Sequence, residues 1–267
     1  MAVIGFIGTG NMGGAIAAAV SRCPAEKELL LCNRTPAKAE ALAAVIGGQV
    51  TDNRDAACRA EFLFLGVKPQ MLAGVLADLR ETLAARKDRF VLVSMVAGTS
   101  RERIRELAGG DYPVIRILPN TPAAIGEGMV FYTCGPEITP KEKALFLELL
   151  APAGKLAELE EGLLDAGSAV AGCGPAFVCM FLEALADGGV ACGLRRDQAL
   201  AFAAQMLVGT GRLLQESGKH PGQLKDAVCS PGGATIQGVR ALEEDGFRGA
   251  VMDAVIAAYE KHLDLSP

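Results

Sequence analysis

The chain has 267 residues, of which 51% are hydrophobic, 5% aromatic and 21% charged, with 32 glycines and no tryptophan. This length suits one or two domains, and the glycine-rich, aromatic-poor composition favours α/β or helical packing over a β-sandwich. The formal net charge is −5 and no basic stripe is present, which argues against nucleic acid or an anionic membrane as a partner.

The N-terminal residues MAVIGFIG lack the cationic region and the cleavage site of a signal peptide. The longest uncharged run of the second half, residues 166–182, is short and glycine-rich for a membrane span, and it contains Pro175. We therefore expect a soluble, cytoplasmic protein.

The eight cysteines form no Cys-x-x-Cys pair, and the only histidines are His220 and His262. Zinc-site spacing is thus missing, and we expect no metal site. In a reducing compartment, most of these cysteines are expected to be free, small and buried.

From residue 2 to about 158, short apolar runs alternate with helical patterns. The predicted strands are 3–7, 28–33, 62–67, 90–95, 114–118 and 129–133. The predicted helices between them are 12–21, 36–45, 70–79, 101–108 and 140–150. Such alternation with nearly continuous apolar strands is typical of a parallel sheet covered on both faces, and right-handed crossovers restrict it to a doubly wound sheet.

After about residue 160 the sequence predicts only helices, at 161–187, 196–215, 221–228, 235–244 and 249–263. Several of them, such as residues 199–207, are apolar around most of their circumference. A helix without a solvated face must be buried. Residues 159–267 cannot hide so much apolar surface alone, so we predict that this all-helical part packs against a second chain.

The first strand runs into residues 8–13, GTGNMG, a G-x-G-x-x-G string that opens a helix. This is the context of a dinucleotide-binding turn. Gly8 permits the tight turn, Gly10 lets a pyrophosphate approach the backbone, and Gly13 lets helix and strand pack closely. Free amides at the helix start would meet the phosphates. The alternative is a glycine turn that binds nothing.

The end of the second strand bears on the choice of cofactor. NAD-preferring sites usually carry Asp or Glu there, whereas this chain has Asn33, Arg34 and Thr35. A guanidinium and two small polar side chains can bind a 2′-phosphate, which a carboxylate would repel. We predict NADPH as the cofactor, with NADH weaker; the alternative makes Arg34 an ordinary surface arginine.

Two further turns are expected at the carboxyl edge of the sheet, where open α/β sheets bind ligands. Val67, Lys68 and Pro69 end one predicted strand, and Lys68 either faces the cofactor or is solvated. The turn at residues 120–122, Asn-Thr-Pro, either lies near the nicotinamide or is a plain turn.

Taken together, several segments resemble the pyrroline-5-carboxylate reductase family. They are residues 5–12 (GFIGTGNM), 67–69 (VKP), 118–122 (LPNTP), 174–177 (GPAF), 183–190 (EALADGGV) and 230–236 (SPGGATI). They occur in order along essentially the whole chain, and the last two are specific to that family.

The resemblance implies a Rossmann-type NADP-binding domain over residues 1–158 and an all-α dimerisation and substrate-binding domain over residues 159–267. It implies NADPH-dependent reduction of 1-pyrroline-5-carboxylate to L-proline, the last step of proline biosynthesis. It also implies a homodimer that interlocks through its C-terminal helices; in many members the dimers assemble further, often into decamers.

The family's site residues transfer to matching positions here. The implied cofactor contacts are Gly8, Thr9, Gly10, Asn11, Met12, Asn33, Arg34, Thr35, Asn53, Val67, Lys68, Pro69, Gln70, Met95, Val96 and Ala97. The implied substrate contacts are Glu161, Asp226, Ala234 and Thr235, with Thr235 as the catalytic residue. From their places in the two turns, we also expect Asn120, Thr121, Gly232 and Gly233 to contact the substrate.

The chain departs from the family pattern at two places. Where the family commonly reads SGSGPAY, this chain has Ala171, Cys173 and Phe177, which removes two hydroxyls and a phenol. Ala227 stands where many members carry asparagine. The glycines and the proline that shape the backbone are kept, so the departures concern side-chain hydrogen bonds and not the reaction.

The distribution of proton donors favours an imine as the substrate. Reduction of a carbonyl usually requires a histidine or lysine as the donor, but no histidine precedes His220 and no lysine lies between Lys155 and Lys219. A protonated imine already carries its positive charge, so the site mainly has to orient two reactants.

The substrate carboxylate still needs a partner. Pro231, Gly232 and Gly233 can form a backbone nest before the helix at Thr235, whose N-terminal amides point the same way. By the resemblance, the Thr235 hydroxyl lies close to the ring nitrogen; the alternative is a helix-start threonine that bonds its own backbone.

Two rival functions remain. β-Hydroxyacid dehydrogenase-like enzymes share the N-terminal pattern but need a lysine on the first long helix of the second domain, where this chain has none. A non-catalytic dinucleotide-binding regulator would leave residues 120–122 and 230–235 without a role. Glu183 and Asp187, one helical turn apart, are interpreted as structural carboxylates and not as a catalytic pair.

Overall fold

The computed structural model describes residues 1–265, and its strands form one eight-stranded sheet. In chain order the strands are β1 Ala2–Ile7, β2 Lys27–Cys32, β3 Gln49–Val50, β4 Phe62–Leu65, β5 Val91–Ser94, β6 Val114–Pro119, β7 Gly128–Cys134 and β8 Gly154–Glu158. Their spatial order is β3-β2-β1-β4-β5-β6-β7-β8. This is the doubly wound arrangement, extended at one edge by β7 and β8.

The helices fill the connections and form the whole of the C-terminal part. They are α1 Asn11–Ser21, α2 Pro36–Ile46, α3 Asn53–Arg59, α4 Pro69–Ala85, α5 Arg101–Ala108, α6 Pro140–Leu150, α7 Leu164–Gly167, α8 Gly174–Ala191, α9 Arg196–Ser217, α10 Pro221–Ala227, α11 Ala234–Glu244 and α12 Phe247–Leu265. Short 3-10 turns lie at Thr121–Ile125, Ala151–Ala153 and Glu161–Leu163, and a π-helical turn at Ser168–Gly172.

All six predicted strands are present, but two more exist and one pairing is antiparallel. The two-residue β3 is exposed and β8 is only partly buried, so neither has the continuous apolar run by which a buried strand is recognised. The strand β7 runs antiparallel to β6, whereas the other neighbours are parallel. The expected parallel, doubly wound sheet is present, with one antiparallel pairing, β6 with β7, at this edge.

The core lies on both faces of the sheet, as the apolar strands predict. Ile4 and Phe6 belong to one buried cluster, and Ile7 of the same strand belongs to another. Side chains alternate across a strand, so the two clusters cover opposite faces. The buried faces of α1 and α6 contribute to the first cluster and that of α4 to the second.

The described residues divide into two compact units: residues 1–173 with residues 258–265, and residues 174–257. In the second unit only Ala186, Ala199 and Ala203 are buried hydrophobic residues. Many large apolar side chains there are exposed, namely Val178, Met180, Leu185, Val190, Leu194, Leu200, Phe202, Met206, Val208, Leu213, Val228, Leu242, Phe247, Val251, Met252 and Ile256. Such a surface marks an interaction site.

One helical run, Glu161–Ala191, is long and apolar enough to cross a membrane by length and composition alone. Of its most apolar 18-residue stretch, 11% is buried. A core helix of a water-soluble protein can pass the same test. Exposed apolar residues also lie on α9, α11 and α12, so the exposed apolar surface is not confined to this one helical run.

The cysteines only partly follow the prediction. All eight are free, but only Cys23 and Cys32 are buried; Cys58, Cys179 and Cys192 are exposed and the others are intermediate. Burial raises the pKa of the Cys32 thiol to about 12, with nearby Asp52 adding to the effect. The expectation of mostly buried cysteines was wrong because two of the exposed ones lie on or next to α8, whose surface the single chain does not cover.

Candidate functional site

The turn between β1 and α1 requires its glycines for steric reasons. Gly8 has φ 96°, and a Cβ there would lie 2.6 Å from the carbonyl oxygen of Gly66. A Cβ on Gly13 would overlap the carbonyl oxygen of Gly8. Gly10, by contrast, has φ −75° and nothing within 4 Å of its would-be Cβ. Two of the glycines therefore serve the fold, and the third leaves open space for a ligand.

We expect Gly13→Ala to destabilise the first unit by about 3 kcal/mol, because a backbone clash cannot be relieved by a rotamer change. This corresponds to a fall in Tm of about 6–12 °C. Gly10→Ala is the matched control and should leave the Tm unchanged while weakening dinucleotide binding. Thermal unfolding of both variants checks this, and equal Tm values would contradict the assignment.

The start of α1 is suited to an anion. Its N-cap is Gly10, with no side-chain cap and no acidic residue in the first turn, so the helix-start amides and the positive end of the dipole face outward. The Thr9 side chain is 5% exposed, and its Oγ1 has no hydrogen-bond partner within residues 1–265. A buried hydroxyl without a partner fits a polar ligand in this turn.

An open groove of about 1030 Å³ begins at this turn and follows the ends of β1, β2 and β4. Nine predicted cofactor residues line it: Gly8, Gly10, Asn33, Arg34, Thr35, Asn53, Val67, Lys68 and Gln70. The predicted residues Thr9, Asn11, Met12, Pro69, Met95, Val96 and Ala97 are not part of its lining. The backbone amides of Gly8 and Thr9 donate hydrogen bonds to the Cys32 carbonyl, which holds the ends of β1 and β2 together.

The groove also has two basic residues that the sequence reasoning missed, Lys38 and Arg54. Together with Arg34 and Lys68 they place four cations around it, and no ion pair of these four is found in residues 1–265. Lys38 lies in the first turn of α2 and Arg54 in that of α3. Recognition of α3 in the sequence would have revealed Arg54. The positive charge suits an additional phosphate.

Three cofactor predictions change in detail. The strand β4 ends at Leu65, so Pro69 does not stop it; Lys68 is the N-cap of α4 and Pro69 its first residue. Proline favours that helical position because its missing N–H is not needed there. Val96 is 2% exposed within the core, so its side chain is not free to contact a ligand.

The predicted substrate loop lies in the second unit and forms a tight turn before α11. The Gly233 amide donates to the Ser230 carbonyl at 3.0 Å, with Pro231 and Gly232, whose φ is 70°, between them. This is the pattern of a type II turn. Because α11 also lacks a side-chain cap and an acidic first turn, its amides remain available to an anion.

Thr235 is the second residue of α11 and is exposed in the chain. The N-cap is Gly233, and Thr235 makes no side-chain hydrogen bond that caps the helix. The alternative of a threonine that bonds its own helix start is therefore not what the structure has. Asp226, at the end of α10, is exposed and pairs with the neighbouring Lys225 at 2.6 Å.

Asn120 is 8% exposed, and both ends of its side chain are engaged. Its Nδ2 donates to the Ala171 carbonyl at 2.9 Å, and its Oδ1 accepts from the Met129 amide at 2.8 Å. The bond at Ala171 uses the backbone, so the loss of the family hydroxyl there does not affect it. Thr121, the first residue of the following 3-10 turn, is exposed.

Glu161 has different surroundings from those expected of a substrate ligand. Its carboxylate bonds the Arg101 backbone amide, the Arg101 side chain and the Arg116 side chain. Partial burial raises its pKa, but these hydrogen bonds outweigh that effect and hold the pKa of the Glu161 carboxyl below its usual value. Glu161 is thus an ionised member of a charged cluster.

Cys173 and Asp187, which the sequence also brought to attention, each contact another side chain of the protein. The Cys173 thiol lies 3.7 Å from Nε2 of His262. Asp187 pairs with Arg196 at 2.5 Å, and Glu183 is exposed on the same helix, in keeping with their interpretation as structural carboxylates. Within residues 1–265 no group of three His, Cys, Asp or Glu side chains could hold a metal ion.

Comparisons with known proteins agree across the whole chain. Residues 161–265 match the family described as pyrroline-5-carboxylate reductase dimerisation, and residues 3–98 match NADP oxidoreductase, coenzyme F420-dependent. The chain is 39% identical to a pyrroline-5-carboxylate reductase of Glycine max over 98% of this chain and 96% of that one. It is also 39% identical to the enzyme of that name from Escherichia coli K12, over 98% of both chains.

Solved structures give the same result for the fold. The chain superposes on a Plasmodium falciparum pyrroline carboxylate reductase with NADP bound, with a TM-score of 0.88 and 28% identity. The match covers 100% of this chain and 98% of that one.

Proposed function

Because the chain belongs to the pyrroline-5-carboxylate reductase family, we propose that it reduces 1-pyrroline-5-carboxylate to L-proline with NADPH, the last step of proline biosynthesis. The observation that carries this proposal is full-length similarity to curated reductases, combined with a glycine turn whose free helix start opens into a basic groove.

The cofactor is held by the first unit. The uncapped amides of α1 would hold the pyrophosphate, and Arg34 after β2 and Arg54 at the start of α3 would hold the 2′-phosphate. When bound, NADPH supplies a hydride to the imine carbon of the substrate. The chain contributes orientation and charge, because a protonated imine needs no further proton to become a neutral amine.

The substrate is held by the loop before α11. Its carboxylate accepts hydrogen bonds from the amides of Gly232 and Ala234, while Gly233, whose amide bonds the Ser230 carbonyl, shapes the loop around it. The Thr235 hydroxyl bonds the ring nitrogen. Thr121 and Asp226 are proposed as additional substrate contacts. The absence of lysine between Lys155 and Lys219 disfavours the β-hydroxyacid dehydrogenase chemistry that remains the alternative.

The transfer itself can be followed with an isotope. NADPH that carries deuterium at the reactive position of the nicotinamide should yield proline with deuterium at the former imine carbon. Formation of unlabelled proline, or of no proline while NADPH is consumed, would reject the proposed reaction.

Cofactor preference provides a separate prediction. We expect Arg34→Ala to raise the KM for NADPH about tenfold or more and to leave the KM for NADH nearly unchanged, because one charge-assisted hydrogen bond to the 2′-phosphate is lost. The matched control is Lys87→Ala, a cation outside the groove. Steady-state kinetics with both cofactors measure this, and an unchanged KM for NADPH would remove Arg34 from the site.

The proposal includes an assembly and a location. The dimerisation family match supports an oligomer, which we propose to be a homodimer formed through the C-terminal helices, with further assembly to a decamer. The eight free cysteines are in keeping with a reducing, cytoplasmic location.

A further inference from the structure

The helix α4 forms one wall of the groove, and this wall differs in composition from the basic part of the lining. Met71, Val75 and Asp78 line the groove from α4. They are spaced four and three positions apart, so they lie on one face of the helix. Two apolar side chains and one carboxylate therefore border the groove on this side.

A glycine lies in the middle of the same helix face. Gly74 is three positions after Met71 and four before Asp78, and a Cβ on Gly74 would have nothing within 4 Å. Glycine in a helix interior is destabilising relative to alanine, but its missing side chain lets a ligand come close to the backbone. The wall thus has an open area between Met71 and Asp78.

The wall on α4 is the part of the groove that remains after the charged groups of NADPH are assigned. The pyrophosphate is assigned to the start of α1 and the 2′-phosphate to the cations that include Arg54. The helix α3, which begins beside Arg54, packs against α4. The adenine adjoins the 2′-phosphate-bearing ribose, and its flat faces suit an apolar surface with few polar groups.

Asp78 is available to a ligand. It is exposed, and its side chain makes no hydrogen bond or ion pair in the part of the chain that the structure describes. Asp52, the other carboxylate of the lining, caps α3 by accepting from the amides of Arg54 and Asp55, both at 2.8 Å. An ionised carboxylate only accepts hydrogen bonds, and adenine carries a donor, its 6-amino group, on its edge.

We propose that Asp78 is a specificity-determining residue for the base of the cofactor: the adenine lies on the face of α4 that carries Met71 and Val75, and its 6-amino group donates to the Asp78 carboxylate. The assignment rests on the proposed function for the identity of the cofactor. A base with a 6-oxo group sets a carbonyl acceptor against the carboxylate, so the same side chain that binds adenine rejects hypoxanthine.

The probe for this proposal is the hypoxanthine analogue of NADPH, which differs from NADPH in the base alone. We expect wild type to bind NADPH about tenfold more tightly than the analogue, with each Kd measured by the fluorescence of the bound nicotinamide. In Asp78→Asn this preference should fall to about twofold or less, because an amide can donate to the 6-oxo group. The Tm should not change, since Asp78 is exposed.

The matched control is Glu81→Gln, the same kind of change at an exposed residue of α4 that does not line the groove; its preference should equal that of wild type. A second variant, Gly74→Leu, fills the open area and should raise the Kd for both nucleotides about tenfold. This variant tests the place of the base without relying on the hydrogen bond.

Equal binding of NADPH and its analogue by wild type would overturn the proposal. So would an unchanged preference in Asp78→Asn, or wild-type affinity in Gly74→Leu. These binding measurements need no imine, so failure of wild type to form proline would reject the proposed reaction and not this assignment.

Discussion

We expect Thr235→Ala to lower kcat/KM for 1-pyrroline-5-carboxylate by about 10²-fold. A hydrogen bond to a charged or developing group contributes about 3 kcal/mol. Thr235 is exposed at the start of α11, so the Tm should not change.

The control for this prediction is Thr235→Ser, which keeps the hydroxyl and should recover most of the activity. Steady-state kinetics on both variants, with the Kd for NADPH measured alongside, separate a substrate effect from a cofactor effect. Wild-type kinetics in the alanine variant would reject Thr235 as a catalytic residue.

We expect Phe202→Glu to break the association of the C-terminal helices, with a rise in the dimer Kd of about 10³-fold or more. Phe202 on α9 is 59% exposed in the single chain, among many exposed apolar side chains of the same unit. Loss of a buried phenyl ring costs about 2–3 kcal/mol, and burial of an unpaired carboxylate adds several more.

The matched control is Val45→Glu, the same kind of change at an 83% exposed residue of α2 in the first unit. Light scattering coupled to size-exclusion chromatography should find a wild-type oligomer, an unaffected Val45 variant and a dissociated Phe202 variant. A monomeric wild-type protein, or an unaffected Phe202 variant, would contradict the prediction.

Most of the fold could be predicted from periodicity. Five buried strands and the helices between them carry strong apolar patterns, and the helix α5 was predicted with its observed bounds. The strand β3 has only two residues and the helix α3 only seven. Both were missed because such short segments do not show a hydrophobic period. The antiparallel β7 was missed because a strand's direction depends on its connections and not on its composition.

The site was predictable where its function depends on backbone shape. The glycine turn has the geometry that its sequence implies, and Gly8 and Gly13 are required by contacts to the neighbouring backbone. Lys38 and Arg54 were missed because they come to the groove from two helix starts. Glu161 lies 45 positions from Arg116 and 60 positions from Arg101 in the sequence, and only the tertiary structure brings these three residues together.

The most direct test of the central claim, reduction of an imine without an ionisable donor, is a paired assay of the purified chain. NADPH oxidation should be rapid when 1-pyrroline-5-carboxylate is added and should give one proline for each NADPH. A chain that leaves this five-membered imine unreduced, yet reduces a ketone or oxidises a β-hydroxyacid, would contradict the account.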